Sequence, residues 1–143
     1  MVAFSKPFRC EVITPTGRVF AGELIAARFP APDGLVGVLG GRGPLAMLLG
    51  AGPLTVRETS GAEAVYFVAG GFARFLDNVL TLLPQECEAL DQIDSEEAWR
   101  EIEAAQKLPR ETPEQRRRRD DALHAARTKF SMAQKFRKDM DEL

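Results

Sequence analysis

Residues 8–17, F-R-C-E-V-I-T-P-T-G, decide the fold class of the first part of this chain. Phe8, Cys10 and Val12 alternate with polar or charged residues, and this period of two predicts a strand that is buried on one face. The T-P-T-G that ends the stretch predicts a turn, because proline restricts φ and glycine readily adopts positive φ. A strand followed at once by a tight turn indicates an antiparallel β structure.

Short apolar segments separated by turn residues continue to about residue 90. Further strands are predicted at Arg18–Phe20, Leu24–Phe29, Gly37–Leu39, Leu54–Glu58, Ala64–Ala69, Ala73–Leu76 and Val79–Leu83. No helical pattern of ten or more residues lies between them, which argues against a βαβ nucleotide-binding sheet. The pattern predicts an N-terminal antiparallel β-sandwich over residues 1–90.

Helical signals replace strand signals from residue 91 onward. Asp94 predicts a helix start, Pro109 ends that helix, and Thr112-Pro113 with Gln115 predicts the start of a second one. The apolar stripe of the second helix consists of Leu123, Ala126, Phe130, Ala133, Phe136 and Met140. Because the link between the helices is short, residues 91–143 are predicted to form a C-terminal antiparallel two-helix hairpin. The expected fold class is therefore α+β.

Charge is distributed unevenly between these two parts. The 143 residues have a formal net charge of −2, which argues against a wholly basic nucleic-acid-binding protein. Residues 110–138, however, carry 10 basic and 4 acidic side chains. This basic second helix fits an acidic protein partner, and a nucleic-acid-binding module is the alternative that it leaves open.

The sequence contains no recognisable catalytic or metal-binding pattern. His124 is the only histidine and Cys10 and Cys87 are the only cysteines, so no zinc-type spacing or nucleophile–base pair is indicated. The loop Gly40–Pro44 lacks the lysine of a phosphate-binding loop, and a tight connection between strands is the favoured interpretation, with a phosphate-binding enzyme as a minor alternative. We therefore do not expect the chain to be an enzyme, and we expect neither a cofactor nor a metal.

An ordered set of motifs resembles one known family. The segments are Ile13–Gly17 (ITPTG), Val19–Glu23 (VFAGE), Gly34–Leu45, Gly52-Pro53 and Phe67–Ala73 (FVAGGFA). Together with the helical hairpin they resemble the epsilon subunits of bacterial F-type rotary ATP synthases, which are homologous to the mitochondrial delta subunit. The resemblance covers essentially the whole chain.

The resemblance implies a ten-stranded sandwich in the central stalk, next to the gamma subunit and the ring of c subunits. The family's ring-facing loop corresponds here to Gly40–Pro44, in which Arg42 replaces a histidine. The rotor-ring contact implied by the resemblance consists of Leu35, Gly40, Gly41, Arg42 and Pro44.

The hairpin of this family extends into the alpha/beta catalytic head and opposes ATP hydrolysis. The beta-subunit contact implied for this chain consists of Arg116, Arg117, Arg127, Lys129 and Lys135. Some members also bind regulatory ATP through a helix-start motif. Here Asp94 and Ala98 match that motif but Glu97 stands where arginine is expected, so ATP binding is expected to be weak or absent.

The implied function is that of a non-catalytic stalk subunit. It couples the rotor ring and the gamma subunit to the catalytic head in proton-driven ATP synthesis, and its hairpin inhibits hydrolysis. No signal peptide or membrane-spanning segment is indicated. The resemblance implies a peripheral protein at the cytoplasmic face of the inner (plasma) membrane, held there only through the complex. No nucleic-acid partner is expected.

Overall fold

The computed structural model describes residues 6–143, which form two compact units, one ending at Glu88 and one beginning at Ala89. Nine strands occupy the first part of the chain. They are β1 Phe8–Thr14, β2 Gly17–Ala31, β3 Gly34–Leu39, β4 Leu45–Leu48, β5 Gly52–Glu58, β6 Glu63–Ala69, β7 Phe72–Leu76, β8 Val79–Leu83 and β9 Glu86–Ala89.

The nine strands form one hydrogen-bonded sheet in the order β4-β7-β8-β1-β2-β5-β6-β9, with β3 added beside β2. Strand β2 is long enough to take part in two sections of the sheet. Its first half pairs with β1 and its second half pairs with β3 and β5, and the register of β2 against β5 shifts between Leu24 and Ala26. Such an irregularity bends a strand and lets the sheet fold over its own inner face.

The inner faces of these strands enclose one hydrophobic core. Its largest fully buried side chains include Phe8, Phe29 and Phe75, with Leu24 and Leu80 beside them. Phe8 and Phe75 pack edge to face with 5.6 Å between ring centroids. Because side chains of seven different strands meet in this core, it ties together strands that are distant in sequence.

The second unit is a helical hairpin. A short 3₁₀ helix, Leu90–Gln92, precedes α1, Ser95–Gln106, and α2, Pro113–Asp141. Contacts between α1 and α2 run in opposite order along the two helices: Gln106 accepts from Arg119, and Glu101 pairs with Lys129 further along α2. The helices are therefore antiparallel. No helix in residues 6–143 is long and apolar enough to cross a membrane.

Side chains define both helix starts. Asp94 Oδ1 accepts a hydrogen bond from the Glu96 N–H at 2.9 Å. At α2, Thr112 Oγ1 accepts from the Gln115 N–H, and Gln115 Oε1 accepts in return from the Thr112 N–H. These bonds satisfy amide groups that have no partner inside the helix, as predicted from the sequence.

The predicted α+β fold class is confirmed, with corrections in detail. β1 and β8 pair in parallel, so the sheet is mixed rather than wholly antiparallel. The two strands predicted within residues 18–29 are one continuous strand, and β4 and β9 were not predicted. The ten strands implied by the resemblance compare with nine in residues 6–143.

Candidate partner-binding surfaces

The loop Gly40–Pro44 is exposed at one end of the β unit, with only Gly40 half-buried. Its start is tightly packed, because a Cβ at Gly40 would lie 1.7 Å from the carbonyl oxygen of Lys6. Gly41 has a φ of +83°, a conformation that glycine adopts at low cost. Leu35 is exposed on β3, which has no hydrogen-bonded neighbour on its second edge in the described strands.

Asn78 connects this loop to two other segments. Its Oδ1 accepts from the Gly41 N–H at 3.0 Å, and its Nδ2 donates to the Pro7 carbonyl at 2.8 Å. Its backbone carbonyl accepts from the Arg9 N–H at 3.2 Å. The β7–β8 turn, the loop and the chain entering β1 therefore meet at one side chain.

The outer face of β4, β7 and β8 is apolar. Phe72 of β7 lies opposite Leu48 of β4 on one side and Leu83 of β8 on the other, and the three are 60%, 55% and 46% exposed. A depression of about 340 Å³ lies there, lined by Ala46, Met47, Phe72, Ala73, Arg74, Thr81 and Leu83. Exposed apolar side chains that adjoin across three strands are typical of a protein–protein contact.

The start of α1 is acidic. Asp94 is occupied as the helix cap, Glu96 and Glu97 are exposed in the first turn, and Ala98 is buried. Carboxylates suit this end of a helix, because the free N–H groups give it a partial positive charge. The same carboxylates repel a phosphate group.

Two of the arginines at the start of α2 are held by the hairpin itself. Arg116 donates to the carbonyls of Arg110 and Glu111, and Arg119 donates to the carbonyl of Gln106 at the end of α1. A cation at the carboxyl end of a helix also interacts favourably with the helix dipole. These side chains stabilise the connection between the helices.

Further along α2, the basic side chains differ in accessibility. Lys129 is only 6% exposed, and its Nζ lies 3.0 Å from Glu101 Oε2. Arg117, Arg127 and Lys135 are exposed. Of the five predicted beta-subunit contacts, these three are directly accessible in this arrangement of the hairpin, whereas Arg116 and Lys129 already have partners.

The two cysteines are buried or half-buried, and the one histidine lies on α2. Burial raises the pKa of the Cys10 thiol to about 12 and that of Cys87 to about 11, so both are protonated at neutral pH. His124 is exposed on α2. In residues 6–143 no group of three or more His, Cys, Asp or Glu side chains is placed to hold a metal ion.

Comparison with known proteins decides the family. Residues 7–89 match the family model described as ATP synthase, Delta/Epsilon chain, beta-sandwich domain. The ATP synthase epsilon chain of Rhodopirellula baltica is 38% identical over 119 residues, which are 83% of this chain and 92% of that relative. This chain belongs to the ATP synthase delta/epsilon chain family.

A second relative agrees with this assignment, and two solved structures share the fold. The ATP synthase epsilon chain of Streptomyces avermitilis is 39% identical over 108 residues, covering 74% of this chain and 86% of the relative. The fold resembles a chain of the Euglena gracilis mitochondrial ATP synthase, with a TM-score of 0.69, 23% identity and coverage of 83% and 76%. It also resembles one of the Tetrahymena thermophila mitochondrial ATP synthase, with a TM-score of 0.66, 13% identity and coverage of 87% and 95%.

The delta/epsilon chain fold brings together residues that sequence patterns did not connect. The predicted loop residues Gly40, Gly41, Arg42 and Pro44 lie in one exposed or half-buried segment that follows β3, whereas Leu35 is exposed near the start of that strand. Asn78 and the apolar face of β4, β7 and β8 were missed as functional features. The signal for that face was present in the sequence, because β8 reads V-L-T-L-L and has apolar residues in both phases of the alternation, with Thr81 as the one polar position.

Proposed function

We propose that this chain is the non-catalytic central-stalk subunit of an F-type ATP synthase. It couples the rotor ring and the gamma subunit to the catalytic head in proton-driven ATP synthesis. The observation that carries the proposal is the correspondence in length and sequence to relatives named ATP synthase epsilon chain, one of them covered to 92%. Two exposed surfaces on the β unit, the loop Gly40–Pro44 and the outer face of β4, β7 and β8, support the proposal.

The main experiment is affinity capture of the tagged chain from native membranes. The gamma and beta subunits are expected to co-purify with it, together with the c ring when a mild detergent is used. Capture from the soluble fraction alone, without any of these subunits, would refute the stalk assignment. The same fractionation tests the expected location, a peripheral protein held at the cytoplasmic face of the inner membrane through the complex.

The apolar face of β4, β7 and β8 is proposed to bind the gamma subunit. A subunit that transmits torque needs a stable contact with the shaft, and apolar burial contributes about 25 cal/mol per Å². Phe72 is the central side chain of this face, with Leu48 and Leu83 across from it on the two neighbouring strands. Aromatic residues at the centre of an interface often account for much of the binding energy.

Replacing Phe72 with serine is therefore expected to weaken binding to F1 that lacks its own copy of this subunit by about tenfold or more. F1 carries the gamma subunit and the catalytic head but no c ring, so the measurement excludes the ring contact, and the hairpin is unchanged in both variants. Leu39→Ser is the control, because Leu39 is similarly exposed but lies on β3. Equal affinity of the F72S variant and the native chain would contradict the assignment.

The loop Gly40–Pro44 and Leu35 are proposed to face the c ring. Arg42 is exposed at the tip of the loop and places a permanent positive charge there. A photo-crosslinking amino acid at position 42 of the assembled enzyme is expected to give a product with a c subunit. A product with the gamma subunit alone would reassign this loop to the gamma contact.

Regulatory ATP binding is proposed to be weak or absent. Glu97 is exposed in the first turn of α1 next to Glu96, and Asp94 is used as the helix cap. Millimolar ATP is therefore expected to leave the melting temperature of the full chain unchanged, because a ligand at concentration c stabilises the folded state by RT ln(1 + c/Kd), which is close to zero when c is far below Kd. The E97R variant, which lacks this repulsion, is the comparison. If ATP raises the melting temperature of the native chain as much as that of E97R, the prediction is contradicted.

A further inference from the structure

Both the side chain and the backbone of Asn78 form hydrogen bonds with other segments of the chain. It lies in the β7–β8 turn with φ +63°, a conformation that asparagine tolerates better than most residues. Oδ1 accepts from Gly41, 37 positions earlier in the chain, and Nδ2 donates to Pro7, 71 positions earlier. A residue whose only role was to form the turn would not need these distant partners.

The loop that Asn78 contacts has little means of holding its own shape. Three of the five residues from Gly40 to Pro44 are glycines, which gain the most conformational entropy when they are released. In the described part of the chain, the bond from Gly41 to Asn78 is the one side-chain hydrogen bond that reaches this loop. At the start of the loop, Gly40 packs against the Lys6 carbonyl. The next residue after Lys6, Pro7, accepts a hydrogen bond from the Asn78 side chain.

We propose that Asn78 is a positioning residue that holds the loop Gly40–Pro44 in one conformation before the partner binds. A preformed loop loses less conformational entropy on docking than a mobile one. The consequence for docking rests on the proposed function, in which this loop faces the c ring. The effect on the loop itself does not.

Two variants separate the side chain of Asn78 from its backbone conformation. N78G keeps the positive φ and removes both side-chain hydrogen bonds. N78D keeps an acceptor for the Gly41 N–H and loses the donor to Pro7. D77G is the control, since Asp77 lies in the same turn with φ +50° and its side chain makes no hydrogen bond or ion pair within residues 6–143.

The test is amide hydrogen exchange of Gly41, measured by NMR on the full chain. N78G is expected to accelerate exchange of this amide about three- to tenfold, the loss of one net hydrogen bond, and to move its proton resonance upfield. N78D is expected to retain most of the protection, and D77G all of it. Equal protection in N78G and the native chain would overturn the proposal, as would the same acceleration in D77G.

Binding separates this proposal from the proposed function. N78G is expected to dissociate about three- to tenfold faster than the native chain from the whole enzyme with its ring, and at the native rate from F1 alone. If the Gly41 amide responds as expected but dissociation from the whole enzyme does not change, Asn78 still positions the loop. The assignment of that loop to the ring would then be wrong.

Discussion

Replacing Gly40 with alanine is expected to destabilise the β unit by about 2–3 kcal/mol, the usual cost of forcing an extra methyl group into a packed site. The new Cβ would lie 1.7 Å from the carbonyl oxygen of Lys6 and 2.6 Å from its carbonyl carbon. Both are backbone atoms, so no side-chain rotation relieves the overlap. The adjacent Pro7 is held by Asn78, which opposes displacement of this segment.

Gly43→Ala is the matched control for this prediction. Gly43 lies in the same loop, has no positive φ, and a Cβ there would meet nothing within 4 Å. The control is expected to leave stability unchanged or to raise it by a few tenths of a kcal/mol, because alanine restricts the unfolded chain. Urea denaturation of the full chain measures both variants. Equal midpoints for G40A and G43A would show that Lys6 does not pack against Gly40 as described.

The strands were most predictable where apolar and polar residues alternate. The alternation over Phe8–Thr14 gave a strand at the observed bounds. It failed at β4, Leu45–Leu48, where residues on both faces are apolar. The outward side chain of Leu48 belongs to the surface proposed for the gamma subunit, and apolar residues on both faces of so short a strand leave no alternation to detect.

The second feature that could not be predicted from the sequence was pairing between distant segments. Nothing in the local pattern of β1 or β8 indicates that the two pair in parallel, because that choice depends on the path of the whole chain. The same holds for Lys129. Its charge predicted an exposed contact residue, but Glu101, 28 positions away, takes it into an ion pair within the hairpin. Residue type alone does not reveal such a partner.

The family resemblance implies that the hairpin opposes ATP hydrolysis, so removing all residues after Asp91 is expected to increase hydrolysis by the assembled enzyme several-fold. The cut lies close to the observed division at Glu88, and the hydrophobic core lies entirely in the strands before it. The truncated chain therefore keeps both surfaces proposed for the gamma subunit and the ring. Its retention in the purified enzyme is the control. If the truncated chain is retained and the rate of ATP hydrolysis is unchanged, the hairpin does not inhibit hydrolysis.

The basic face of α2 gives a sharper version of this prediction. Arg117, Arg127 and Lys135 are exposed, and neutralising all three to glutamine leaves the capping box and the Arg116 and Arg119 bonds intact.

If each residue meets a carboxylate of the beta subunit at about 0–1 kcal/mol, the triple variant weakens inhibitory docking by about 1–2 kcal/mol, or roughly 5- to 30-fold. Hydrolysis is expected to rise toward the level of the truncated enzyme, and high salt is expected to shrink the difference from the native chain.

The matched control neutralises acids of the same helix, Asp120, Asp121 and Asp139, all of them exposed. Both triple variants change the charge of α2 by three units, in opposite directions. Loss of solubility or of helix propensity would affect both alike, whereas an acidic binding site on the catalytic head distinguishes them. The chain in which these three aspartates are neutralised is expected to inhibit ATP hydrolysis at least as strongly as the native chain. Equal activation by both variants would rule out charge complementarity and leave shape or apolar contacts as the basis of inhibition.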